Sequence, residues 1–252
     1  MPLPHHAEEE AARVKSVGLV TGAGRGLGRV LATFLAGQGH DLVITARTDT
    51  ELEEVAGSLR STGAKVSALL GNITDPGHRT RLLQETSAMG GVSLLVNNAS
   101  DLGETPRPEL AQASLDLFRT TLETNLVAPL ALIQEALPQL ERTRGLIVNI
   151  TSDASQAGYE RWGIYGSSKA ALDLVSKTLA IELKPQGVFV VSVDPGDMRT
   201  QMHQEAYLNE DISDRPLPEV TLPFWAWLIG QDPKRITGMR YQAQGTLWEV
   251  PA

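Results

Sequence analysis

The sequence contains no cysteine. Disulfides, thiolate nucleophiles and cysteine zinc sites are therefore excluded, and the composition suits a reducing compartment, with the cytoplasm as the expected location. Positive charge is also in short supply. Lys and Arg number 22 against 30 Asp and Glu, a formal net charge of −8, whereas a chain that grips phosphate backbones carries a basic face; no nucleic-acid partner is expected. No apolar run approaches the ~18 residues of a membrane span, so no membrane association is expected either. The histidines, His5, His6, His40, His78 and His203, show no ligand-like grouping, and no metal is expected. Met1 to Lys15 carries Glu8-Glu9-Glu10 and no apolar stretch; it reads as a flexible leader rather than a signal peptide.

What is present is a chain of 252 residues, 42 % apolar and 21 % charged, enough to bury a sizeable core in one domain over residues 16–252. Short apolar runs of strand length alternate with segments of helical period. Val17-Gly18-Leu19-Val20 is followed by a glycine-rich turn and a helical pattern through Leu27, Leu31, Phe34 and Leu35. Leu42-Val43-Ile44 precedes a second such pattern through Leu52, Val55 and Leu59. Val66 to Leu70, Leu94-Leu95-Val96, Leu146 to Ile150 and Val188 to Val191 repeat the theme. Strands apolar on both faces and separated by helices imply a parallel sheet covered on both sides. The expected fold is α/β, a single doubly wound Rossmann-type domain with a mostly parallel sheet of about seven strands. Gly196 to Pro218 lacks a regular pattern for long, and residues 197–218 are a candidate lid.

Thr21-Gly22-Ala23-Gly24-Arg25-Gly26-Leu27-Gly28 sits between the first strand and the first helix. Glycines allow the sharp turn and close backbone approach to a pyrophosphate, while the helix N-terminus offers free N–H groups to its charge. Gly22, Gly24, Arg25, Gly26, Leu27 and Gly28 are thus candidate dinucleotide contacts. The second strand runs out at Thr45-Ala46-Arg47-Thr48, which places Arg47 19 residues beyond Gly28. An NAD enzyme puts a carboxylate about there for the adenosine ribose. A guanidinium pairs instead with a 2′-phosphate, and Arg25 can join it, so NADP(H) is preferred and NAD(H) is the alternative.

Tyr165 and Lys169 lie four residues apart at the start of a long helical segment, which sets phenol and ammonium on one helix face. Ser152 ends a strand 13 residues before Tyr165, at the sheet edge where ligands of such folds collect. This trio can reduce a carbonyl, with serine donating a hydrogen bond to the oxygen, tyrosine the proton, and lysine keeping the phenol acidic. A cation one turn away, and the positive nicotinamide of an oxidised cofactor, are expected to lower the tyrosine pKa from about 10.

Together these motifs resemble the short-chain dehydrogenase/reductase family in its single-domain form, from Val17 to about Tyr241. The glycine turn matches Thr-Gly-x-x-x-Gly-x-Gly, and Asn97-Asn98-Ala99 matches Asn-Asn-Ala-Gly. Asn125 occupies the place of the catalytic asparagine, and Ser152, Tyr165 and Lys169 those of the catalytic serine, tyrosine and lysine. Pro195-Gly196 followed by Thr200 matches the element set against the nicotinamide. The resemblance implies that Asn125 positions a water, that Lys169 also holds the nicotinamide ribose, and that Thr48, Asn72, Ile73, Asn98, Ala99, Pro195, Gly196, Met198 and Thr200 join Tyr165 and Lys169 around the cofactor. Ser100 replaces the last glycine of Asn-Asn-Ala-Gly, Asn72 stands where an adenine-binding Asp is usual, and residues 241–252 lack the Asp-Gly-Gly finish.

The expected substrate is a medium-sized, partly hydrophobic carbonyl or alcohol, held by Trp162 and by lid residues among Met198, Met202, His203, Tyr207 and Leu208. Phe224 to Ile229 reads as a core helix. The segment Ser168 to Lys184 is apolar around more than one face, and the family pairs this helix across a two-fold axis; a homo-oligomer is expected, a dimer or, in the preferred reading, a homotetramer. The leading reading is an NADP-dependent oxidoreductase. The others are an NAD-dependent alcohol dehydrogenase of the same family and a non-catalytic nucleotide sensor, the last disfavoured by the joint presence of Asn125, Ser152, Tyr165 and Lys169.

Overall fold

A computed structural model describes residues 16–250. The leader expected over residues 1–15 lies outside the described residues. The strands are Val17–Thr21 (β1), Asp41–Ala46 (β2), Val66–Leu70 (β3), Val92–Asn97 (β4), Leu146–Ile150 (β5), Phe189–Asp194 (β6) and Arg240–Gln242 (β7). They form one sheet in the order β3-β2-β1-β4-β5-β6-β7, parallel throughout. The helices are Gly26–Gly37 (α1), Asp49–Arg60 (α2), Pro76–Ala88 (α3), Leu115–Leu122 (α4), Ala128–Thr143 (α5), Gly163–Leu183 (α6), Gln201–Ala206 (α7), Leu222–Ile229 (α8) and Pro233–Ile236 (α9).

The pleat decides which side chain meets which helix. Along adjacent strands Leu19, Val43, Leu95, Ile147 and Val190 point to one face, where they pack with Leu82 of α3, Leu132 and Ile133 of α5 and Leu183 of α6. Their successors Val20, Ile44, Val96, Val148 and Val191 point to the other, against Leu31 and Leu35 of α1, Leu52 and Leu59 of α2 and Phe224 and Leu228 of α8. Strands buried on both faces need apolar residues at every position, which is why these runs carry no polar alternation.

α8 is a core helix, as expected. Phe224 is inaccessible to solvent and its ring lies 5.0 to 5.8 Å from Trp225, Trp227, Tyr241 and Trp248. This cluster holds β7, a three-residue strand that the sequence pattern leaves open, beside β6. β1 and β4 are neighbours although two strands intervene in sequence. The chain reverses direction of travel across the sheet there, and the crevice beyond the strand ends at such a switch point is where ligands bind.

Candidate active site

Both loops at the switch point are built for close approach. Gly22 and Gly26 have φ of +67° and +53°, a region that side chains resist. A Cβ on Gly28 would lie 2.2 Å from the Gly22 carbonyl oxygen and 2.5 Å from Asn98 Nδ2. Asn98 braces the turn from behind: its Nδ2 donates to Thr21 O at 2.9 Å and Gly22 O at 3.1 Å. Thr21 Oγ1 accepts from the N–H groups of Asn98 and Ala99, both at 3.0 Å. Arg25, the residue preceding α1, supplies no side-chain cap, so the first N–H groups of the helix remain for a ligand.

Beyond β2 the exposed Arg47 and Thr48 continue the wall. Arg47 makes no ion pair among the described residues, whereas Arg25 lies 3.7 Å from Glu51 and donates to Gln201 Oε1. Asn72 and Ile73 after β3 complete this end.

The other end is assembled from β5, α6 and the segment after β6. Lys169 is 2 % exposed and its Nζ donates to Ile150 O at 2.8 Å, 5.5 Å from the centre of the Tyr165 ring. Ser152 Oγ donates to Asp153 Oδ1 at 3.0 Å and accepts from Ala154 N at 3.2 Å. Arg240 of β7 ties this corner together: its guanidinium donates to Ser152 O at 2.9 Å, Asp194 Oδ2 at 3.1 Å and Asp173 Oδ2 at 3.2 Å. Asp194 Oδ1 accepts from Gly196 N at 3.0 Å, and Gly196 has φ +74°. Burial raises the Asp194 carboxyl above its ordinary range, opposed by Gly196 N–H and Arg240.

The expected lowering of the tyrosine pKa does not hold in this structure. Burial is the largest influence and pushes Tyr165 up to about 12, with Asp194 and Asp153 adding to it and the neighbouring Ser100 and Ser152 hydroxyls opposing it. The same burial pushes Lys169 down to about 8, although Asp173 raises it. Desolvation of the charged form is the largest effect at both groups.

A single cleft of about 500 Å³ runs between the two ends. Gly22, Gly24, Arg25, Gly26, Leu27, Gly28, Arg47, Thr48, Asn72, Ile73, Asn98 and Ala99 line it, and Ser152, Tyr165, Lys169, Pro195, Gly196, Met198 and Thr200 continue the wall. A cradle that one Cβ would fill at Gly28, next to uncapped N–H groups, fits a pyrophosphate. Met202, His203 and Tyr207 of the candidate lid, together with Trp162, border the catalytic end. Trp162 lies 5.7 Å from Tyr165 and 6.1 Å from Tyr207, ring centre to ring centre. Leu208 is 54 % exposed and is not on the wall, so its expected substrate role falls away.

Asn125 lies one layer back from the cleft. It sits in a π-helical turn, Glu123–Val127, completely buried and behind the wall. Its Nδ2 donates to Asp101 O at 2.8 Å and Ser168 Oγ at 2.9 Å, and its Oδ1 accepts from Asp101 N at 2.7 Å and Ser100 Oγ at 3.1 Å. Four protein partners exhaust what the amide offers, so its side chain is not free to hold a water. The sequence treats Ser100 only as a departure from a glycine motif; the structure places it on the cleft wall, with its hydroxyl donating to Asn125 Oδ1 at 3.1 Å. Arg107 is a further residue without a local sequence signal, its guanidinium 3.9 Å from the centre of the Trp162 ring.

Fold and cleft define a Rossmann-type, dinucleotide-binding class. The short chain dehydrogenase model matches residues 16–211. A 3-oxoacyl-(acyl-carrier-protein) reductase of Staphylococcus epidermidis is 30 % identical over 243 residues, covering 91 % of this chain and 98 % of that one. Two solved structures align over most of their length. A short chain dehydrogenase structure from Pseudomonas syringae has a TM-score of 0.85 at 32 % identity, covering 92 % of this chain and 96 % of its own. One from Shigella flexneri, described as complexed with NADP, has a TM-score of 0.84 at 27 % identity, with 91 % and 97 % covered. The chain belongs to the short-chain dehydrogenase family, oxidoreductases that use a nicotinamide cofactor on small molecules.

Proposed function

We propose that this enzyme interconverts a small-molecule carbonyl and its alcohol with NADP(H), and that Tyr165 is the proton donor and acceptor. The observation that carries this is one continuous cleft with a glycine cradle at one end and Tyr165, Ser152 and Lys169 at the other. A bound nicotinamide supplies or accepts the hydride. In reduction Tyr165 gives its proton to the carbonyl oxygen, while Ser152 donates a hydrogen bond to the charge developing there. Lys169, buried and cationic below its pKa of about 8, steadies the phenolate left behind and, on the family's pattern, the nicotinamide ribose. Trp162, Met202 and Tyr207 favour a partly apolar substrate of medium size.

The test is a carbonyl panel followed by NADPH absorbance. Tyr165→Phe is expected to bind dinucleotide as the parent does and to lose about 10²–10⁴-fold in turnover, the usual worth of a positioned acid. Turnover at the parent rate would overturn the assignment.

The preference for NADP(H) rests on Arg47 and Arg25 at the end of β2 and in the glycine turn. NAD(H) has its own support, because Glu51 on the same wall engages Arg25 at 3.7 Å and offers a carboxylate to a ribose diol. A homotetramer is our reading of the assembly. Leu174 and Ile181 on α6 are 66 % and 76 % exposed, an apolar face of the kind that a second copy covers. A monomeric mass by light scattering at micromolar concentration would remove it.

A further inference from the structure

Ser152 has one hydroxyl proton, and in this structure a carboxylate already holds it. Ser152 Oγ donates to Asp153 Oδ1 at 3.0 Å and accepts from Ala154 N at 3.2 Å. Asp153 Oδ1 also accepts from Ala154 N at 2.8 Å, and its Oδ2 accepts from the Tyr159 O–H at 2.9 Å. Ser152, Asp153 and Tyr159 line the cleft together with Tyr165. Asp153 is exposed and makes no ion pair among the described residues. We propose that Asp153 is a specificity-determining residue, which selects carbonyl substrates that carry a hydroxyl group on the carbon beside the carbonyl. The inference rests on the proposed reduction, with Ser152 as donor to the carbonyl oxygen.

Competition for one proton carries the argument. To donate to the substrate oxygen, Ser152 must turn its hydroxyl away from Asp153. The backbone does not turn with it, because the Arg240 guanidinium holds Ser152 O at 2.9 Å. A neutral carbonyl is a weaker acceptor than a carboxylate, so a plain ketone draws the proton away against a deficit. A carboxylate offers about four acceptor positions, and the bonds from Ser152, Ala154 and Tyr159 leave room for another donor. A hydroxyl on the substrate fills that place and replaces the serine as it turns. Ser152 Oγ and Asp153 Oδ1 are 3.0 Å apart. In a 2-hydroxy ketone the carbonyl and hydroxyl oxygens are about 3 Å apart by ordinary bond lengths. One such ligand therefore reaches both side chains, its carbonyl oxygen on Ser152 and its hydroxyl on Asp153.

The neighbouring charges point the same way. Glu160, Asp194 and Asp197 share the wall with Asp153, and the arginines on it, Arg25 and Arg47, belong to the glycine turn and the end of β2. Lys169 gives its ammonium to Ile150 O at 2.8 Å. A substrate carboxylate beside the carbonyl would meet like charge at Asp153, whereas a hydroxyl meets an acceptor.

The experiment measures kcat/KM by NADPH absorbance for three ketones built on the fastest-reduced methyl ketone of the panel: its hydroxymethyl, methoxymethyl and ethyl counterparts. For phenyl methyl ketone these are 2-hydroxy-1-phenylethanone, 2-methoxy-1-phenylethanone and propiophenone. The methoxymethyl ketone keeps the electron withdrawal of the oxygen and lacks its proton. The parent is expected to prefer the hydroxymethyl over the methoxymethyl ketone by about 10–100-fold, the scale of a hydrogen bond to a charged group. In Asp153→Ala that ratio is expected to fall to near unity, because the hydroxyl has lost its partner and nothing competes for the Ser152 proton. Asp153→Asn, which keeps a neutral acceptor for Ala154 N, is expected to lie between. The ethyl ketone should follow the methoxymethyl ketone in its response to both substitutions. A parent without the preference overturns the proposal, and so does a preference that survives in Asp153→Ala, including one that survives an equal loss on all three ketones. If no carbonyl of the panel is reduced, the proposed reaction falls and this role with it. If all three ketones are reduced without the preference, the role of Asp153 alone falls.

Discussion

Lys169 is an ammonium with 2 % of its surface exposed, and its pKa falls from 10.5 to about 8. The folded protein therefore resists the charge that the active site uses. In the unfolded chain Lys169 keeps its proton up to pH 10.5; in the folded chain it gives it up near pH 8. Between those values the unfolded state binds more protons, so stability rises with pH. The destabilisation is complete below pH 8 and amounts to about 3 kcal/mol, from about 2.5 units at 1.36 kcal/mol each. About 2 kcal/mol of it is relieved between pH 7.5 and 9.5, a window above the histidines and below Tyr165, whose folded-state pKa of about 12 acts only above pH 10. Urea unfolding of the dinucleotide-free protein at those two pH values is expected to show the midpoint rising by about 0.7–1 M, given a slope of ~2–3 kcal/mol/M. Lys169→Met removes the titrating group and should flatten that rise. An equal rise in parent and variant would show that Lys169 does not titrate there and would sink the burial argument.

Three further outcomes are expected. Arg47→Ala should weaken NADPH binding by about tenfold or more, the worth of a charged hydrogen bond, and leave NADH within about twofold; equal losses by fluorescence titration would reverse the cofactor preference. Gly28→Ala places a Cβ 2.2 Å from the Gly22 carbonyl, so it should lower stability by about 1–3 kcal/mol, a Tm loss of a few degrees, and weaken dinucleotide binding; a neutral variant would mean that the turn is not rigid. Arg240→Met strands Asp173 and Asp194, each 4 % exposed, and should cost about 3–5 kcal/mol at pH 7.5. That deficit should shrink toward pH 5, because without the guanidinium the Asp194 pKa rises further, and a raised carboxyl destabilises most when ionised. A deficit that stays constant with pH would refute the account.

Much of this protein is readable along the chain because the signals are local. Apolar runs at Leu19-Val20, Ile147-Val148 and Val190-Val191 mark strands covered on both faces, since a pleat exposes successive residues to opposite sides. The turn at Gly22 to Gly28 and the four-residue step from Tyr165 to Lys169 are local geometry. The charge of Arg47 is a matter of residue type. What tertiary structure decided is who meets whom and in what medium. β1 and β4 become neighbours only through the order of the sheet, and so Asn98 comes to brace a turn 76 residues away. Asn125 is marked in the sequence only by its place in a motif; that its side-chain amide is tied to Ser100, Asp101 and Ser168 is decided by the fold. The direction of the Tyr165 pKa is another such outcome. Spacing reveals the helpful ammonium, but desolvation is a sum over every atom packed around the phenol, and only the folded chain supplies that sum.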